Sequence, residues 1–159
     1  MTVRFSQNSE AKSHDVDAVR SLYEQAMEGW NKGSGQAFAD PFATDGDLVG
    51  FDGTHLKGRD QIASFHQRLF NTYVKGSRLV GKIRSVRFLS PTIAIMHAVG
   101  GTVMAGQSHI DPDRNSIQTI VAIKYDGKWC IAAFQNTRVQ YLGRPEEFEA
   151  LTEELRKEI

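Results

Sequence analysis

The feature that most constrains this chain is a change of hydrophobic period near its midpoint. Up to Gly76 apolar residues recur every three or four positions, and beyond it they alternate or run together with β-branched neighbours, the pattern of helices followed by sheet. Over residues 15–30, Val19, Leu22, Tyr23, Ala26 and Trp30 fall on one helical face, opened after Ser13 and closed by the Asn31 to Gly35 break. Over residues 59–73, Ile62, Phe65, His66, Leu69, Phe70 and Tyr73 form a second stripe that ends near Gly76. Between them, residues 36–43 carry Phe38 and Phe42 around Pro41, which reads as a short helical turn broken at the proline with both aromatics inward. The run 48–51, the turn pair Asp52-Gly53 and the return through His55 and Leu56 predict a small hairpin.

Four long runs follow, over residues 78–89, 92–104, 116–125 and 128–138, the last two joined by Asp126-Gly127. That dipeptide is a strong two-residue hairpin signal, so long antiparallel strands are expected. Gly100 and Gly101 within the second run predict a bulge or a sharp bend, which a sheet that wraps requires. Residues 106–115 are polar and turn-rich and read as a connection or flap. The tail after Gly143 starts with a proline, continues with glutamates and ends with basic residues, as a C-terminal helix does. At 159 residues with 40% hydrophobic content, one domain is expected. Its fold class is α+β: a cone-shaped curved antiparallel sheet packed on N-terminal helices, with a flexible arm at 1–14, the main domain at 15–140 and the C-terminal helix at 141–159.

Charge removes some function classes. Nineteen basic residues balance nineteen acidic ones, so no net field attracts nucleic acid or an anionic membrane. The single cysteine, Cys130, forms no internal disulfide and reads as a buried thiol. The first fourteen residues are polar, no run approaches transmembrane length, and the chain reads as cytoplasmic.

Several segments carry a family resemblance: Trp30-Asn31-Lys32-Gly33, residues 42–58 ending in Leu-Lys-Gly-Arg-Asp, Arg114 to Thr119, and Trp129 to Arg138. Together with the order of elements, they resemble the nuclear transport factor 2-like superfamily, and within it the SgcJ/EcaC-type branch, close to the SnoaL-like polyketide cyclases and the kinase association domains. The resemblance spans roughly residues 15–138. It implies a homodimer formed on the outer sheet face and a pocket between the sheet and the helices. It brings no redox cofactor with it, because no GxGxxG follows a strand. Ketosteroid isomerases share the fold and use a carboxylate base, but ungapped counting puts Gly50 at that place. The SnoaL-like cyclases use an aspartate further along the sheet, where His97 is the nearest substitute.

A pocket needs a few polar groups converging inside an apolar wall. His66 lies on the apolar stripe of its helix and His97 in an apolar strand, so either is a candidate proton carrier or a core histidine held by hydrogen bonds. Centring the hairpin on Asp126-Gly127 sets Gln118 opposite Gln135, with Asn136 beside it, so the two amides would share a face unless a bulge intervenes. Trp30 and Phe51 offer aromatic wall, His55 follows the Asp52-Gly53 turn towards the mouth, and Asp47 shares a face with Asp45. No HxH or HxxxH spacing occurs, so no metal is expected. Two readings remain open. One is a homodimer that binds a small apolar or aromatic molecule, with His97 or His66 moving a proton if it is an enzyme. The other is a non-catalytic interaction module whose cone is filled by its own side chains.

Overall fold

The computed structural model describes residues 13–159, so residues 1–12 of the expected arm lie outside it. The chain runs α1 (Ser13–Asn31), α2 (Gly35–Ala39), β1 (Phe42–Val49), β2 (His55–Lys57), α3 (Arg59–Asn71), β3 (Arg78–Ser90), β4 (Ile93–Val103), a 3₁₀ turn (Pro112–Arg114), β5 (Ser116–Tyr125), β6 (Lys128–Arg138) and α4 (Pro145–Arg156). Six strands form one sheet in the order β2-β1-β6-β5-β4-β3. It is mixed, because β1 runs parallel to β6 while every other pair is antiparallel.

The apolar stripes of α1 and α3 do what their periods require, except at Tyr73, which lies beyond the end of α3 at Asn71 and is 85% exposed. Val19, Leu22, Tyr23 and Ala26 of α1 and Ile62 and Phe70 of α3 are buried in one core with Phe38, Phe42, Met96, Ile120 and Phe134. The short α2 is capped by Ser34, whose hydroxyl accepts from the Ala37 amide at 3.1 Å. It crosses α1 so closely that a Cβ on Gly29 would sit 2.2 Å from the Phe38 amide nitrogen. These helices cover the inner face of the sheet. The outer face holds a second, smaller core in which Leu151 and Leu155 of α4 pack on Val80, Val99, Val103 and Ile110.

Three strand expectations need correction. β1 starts at Phe42 and not near Leu48; the polar Thr44 to Asp47 stretch hides it, and its register against β6 slips between Phe42 and Asp47. The β1–β2 connection is a five-residue loop over 50–54, closed by the Gly50 amide donating to the Thr54 carbonyl at 2.8 Å, and not a two-residue turn. No register shift falls at Gly100 or Gly101. Those glycines make room: a Cβ on Gly100 would meet the Gln118 amide at 2.9 Å, and one on Gly101 the Leu155 side chain at 3.1 Å.

The shift that matters for the site lies in β6. Pairing from Asp126-Gly127, where both residues have positive φ as a type I′ turn needs, is regular through Ala122 opposite Ile131. Val121 then faces Ala133, which leaves Ala132 as an extra residue. This bulge moves every later partner by one, so Gln118 faces Asn136 and Thr119 faces Gln135.

Candidate functional site

The inner face of the sheet and the helices enclose a cavity of about 670 Å³, within the range of small-molecule sites. Its wall is mainly apolar: Met27 and Trp30 from α1, Phe65 and Leu69 from α3, Leu48 and Phe134 from the sheet. The Trp30 indole N–H donates to Ser77 Oγ at 3.0 Å, and its ring meets Phe70 edge-on at 5.0 Å. Trp30 thus presents ring surface and no free donor.

His66 is the titratable group inside this wall. It is 5% exposed and stacks on Phe38 with ring centroids 4.1 Å apart. Its Nδ1 lies 2.8 Å from the Ile62 carbonyl. A carbonyl only accepts, so the proton sits on Nδ1 and Nε2 keeps its lone pair. Burial pushes the imidazole pKa down to about 4, against a small opposing effect of the Ile62 bond. The ring is neutral at pH 7, and Nε2 has no protein partner among the described residues.

Further along the sheet lies a closed amide network. Tyr23 Oη donates to Gln118 Oε1 at 3.1 Å, and Gln118 Nε2 donates to Ser116 Oγ at 2.8 Å and to Asn136 Oδ1 at 3.1 Å. All the groups of the Gln118 amide are engaged within the protein, and burial holds the Tyr23 hydroxyl well above its ordinary pKa. Asn136 keeps its amide N–H groups for the cavity that it lines.

Of the residues expected at a site, His66, Trp30, Phe51, Gln118 and Asn136 line the cavity, as does Gly50. His97, Gln135, His55 and Asp47 do not. The structure corrects their phase for one common reason. His97, Thr119, Gln135, Val49 and His55 are successive cross-strand partners, and so form one row. That row belongs to the outer face, since Met96 and Ala98 on either side of His97 are the buried inner residues. Asp47 lies in the next outer row and accepts from or pairs with His55 Nε2 at 3.0 Å, both side chains more than two-fifths exposed. The Gln118/Gln135 pairing fails through the Ala132 bulge.

Residues not singled out as site candidates from sequence complete the lining: Ser116 of the amide network, Asp52 at the mouth, and three arginines, Arg68, Arg114 and Arg138. Arg138 lies over the Phe51 ring with its guanidinium carbon 4.0 Å from the centroid. Phe134, Asn136 and Arg138 alternate on one face, a phase that follows only once the bulge at Ala132 is known.

Neither a protein-family model nor any curated protein matches the chain. Solved structures do. A domain of unknown function with a cystatin-like fold from Nostoc punctiforme is 40% identical, with a TM-score of 0.81 over 87% of this chain and 86% of that one. A nuclear transport factor 2-like protein with a cystatin-like fold from Novosphingobium aromaticivorans is 15% identical, with a TM-score of 0.70 over 86% and 89%. The chain belongs to the same family as that Nostoc punctiforme domain, and its fold is cystatin-like and nuclear transport factor 2-like. A scytalone dehydratase-like protein from Novosphingobium aromaticivorans shares this nuclear transport factor 2-like fold at 15% identity, TM-score 0.69, over 82% and 88%; at that identity the likeness concerns architecture. Gly50, where ungapped counting expects the isomerase carboxylate, lines the cavity and brings no side chain to it.

Proposed function

We propose that this protein binds a small apolar or aromatic molecule in the cone, as a member of the SgcJ/EcaC-type branch of its superfamily. The observation that carries the reading is the open cavity of about 670 Å³ with an aromatic wall; an interaction module with a filled cone would not leave it. The body of the ligand lies between Trp30, Phe65 and Leu69 on one side and Phe134 on the other. Among the free polar groups at hand are His66 Nε2, an acceptor, and the Asn136 amide, a donor. A hydroxyl of the ligand meets the first and a carbonyl the second.

Acid/base chemistry on a polyketide-like or aromatic substrate is the second reading. His66 favours it by carrying an unshared Nε2 lone pair inside a water-poor wall. Its low basicity limits it to accepting a proton from an acidic donor, since the best general base has a pKa near the working pH. Binding is therefore the leading function.

Two copies of the chain pair through the outer face in this reading. Ile95 and Val121 are cross-strand partners there, and Ile93 beside them is 38% exposed. The cone reading is tested by calorimetric titration of 2-naphthol into the wild type and into Leu69→Trp, which fills the cavity. Saturable binding to the wild type, lost in the variant, is expected. Equal heats in both, or none in either, remove the reading.

A further inference from the structure

The three arginines that line the cavity differ from the other paired cations of the chain. Arg84 is bound by Glu154 at 2.7 Å, Lys124 by Asp15 at 3.2 Å and Arg144 by Glu147 at 3.1 Å. Among the described residues, no carboxylate lies within 4.0 Å of Arg68, Arg114 or Arg138. Arg68 is exposed and solvated at the rim. Arg114 is half-buried, and its Nε–H is fully buried with no acceptor. A buried charged donor without a partner costs more than a neutral one, so Arg114 brings an incompletely satisfied guanidinium to the cavity that it lines.

Arg138 stands close by. The Val139 amide donates to the Asn115 carbonyl at 3.1 Å, and Arg138 pairs with Ser116. Arg114 thus ends the 3₁₀ turn that leads into β5 and Arg138 ends β6, and both line the cavity. Two guanidinium groups that line one mainly apolar cavity favour an anion there. The one carboxylate of the lining, Asp52, accepts from the Thr54 amide at 3.0 Å and holds its own loop.

We propose that the ligand is an organic acid whose carboxylate is held by Arg114 and Arg138 while its apolar body fills the aromatic end of the cone. The inference rests on the reading of the cavity as a ligand site and adds the chemical class. The Nη groups of Arg114, which is half-buried, offer the planar fork that a carboxylate accepts side by side, and Arg138, steadied on Phe51, covers it from the mouth. Asn136 then donates to a carbonyl or ether oxygen further in, and His66 accepts from a hydroxyl of the body.

The test is a calorimetric comparison at pH 7 of 2-naphthoate with its neutral isostere 2-naphthamide, on the full chain. The wild type binds the acid about ten-fold more tightly or better. In Arg114→Gln the preference falls to about two-fold or less. Equal affinities in the wild type overturn the carboxylate assignment and leave the cavity reading intact; binding of neither compound overturns both. An undiminished preference in Arg114→Gln overturns the role of Arg114. Where circular dichroism shows Arg114→Gln unfolded, Arg138→Gln and the wild-type comparison decide in its place: loss of preference supports the proposal, and its persistence in Arg138→Gln overturns the two-arginine site.

Discussion

The Tyr23 hydroxyl donates to Gln118 Oε1 at 3.1 Å and so ties α1 to β5 across the inner face of the sheet. The bond has a spatial condition. A Cβ on Gly81 would lie 2.3 Å from the Tyr23 oxygen, so only glycine at 81 lets the ring reach Gln118. Tyr23→Phe leaves a buried amide oxygen without its donor and is expected to cost about 1–2 kcal/mol in denaturant unfolding. Gly81→Ala displaces the same hydroxyl, so the double variant is expected to fall short of the sum of the single costs by about 0.5 kcal/mol or more. Strict additivity would break the link between the two.

His66 predicts an acid-sensitive stability. Its folded pKa of about 4 lies below the ordinary 6.5, so the unfolded chain takes up the proton first as pH falls. The contribution of the neutral ring is fully present above about pH 6.5 and is lost progressively towards pH 4, up to about 3 kcal/mol. Thermal melts between pH 7 and pH 4.5 are expected to show this loss in the wild type. His66→Phe keeps the stacking on Phe38 without a titrating nitrogen and flattens the slope.

The C-terminal helix is part of the folded unit in energetic terms. Leu155 is fully buried on the outer face, Arg84 and Glu154 pair at 2.7 Å, and Asn115 Nδ2 donates to Thr152 Oγ1 at 2.8 Å. Leu155→Ala is expected to cost about 2–5 kcal/mol by chemical denaturation. Arg84→Ala, at a largely solvated pair, is expected to cost about 1 kcal/mol or less.

The outer face predicts an association. Val121→Arg places a charge beside Ile95, and light scattering is expected to show the wild type at twice the chain mass and the variant at one. A monomeric wild type at micromolar concentration contradicts the pairing.

Sequence period alone located β5 and β6 at their observed bounds, Ser116–Tyr125 and Lys128–Arg138, because Asp126-Gly127 pins both ends of the hairpin. It also placed Trp30 and His66 inside, since a long amphipathic helix has one buried stripe. It failed wherever a single residue sets the phase. His97 sits among apolar neighbours on both sides of its strand, as a strand covered on two faces does, so alternation gave no sign of which face was inner. Gln135 was lost to the bulge at Ala132, which leaves no mark in a run of small residues. Arg114 stood in a polar segment read as a connection, and its buried nitrogen emerges only when β6 is laid beside it.

The central claim is that the cone is an open ligand site. Native mass spectrometry of the purified full chain, exposed to a mixture of small aromatic acids and their amides and compared with Leu69→Trp, measures it most directly. The account predicts a stoichiometric adduct of one aromatic acid per chain on the wild type and none on the variant. A bare wild type, or an equal adduct on both, contradicts it.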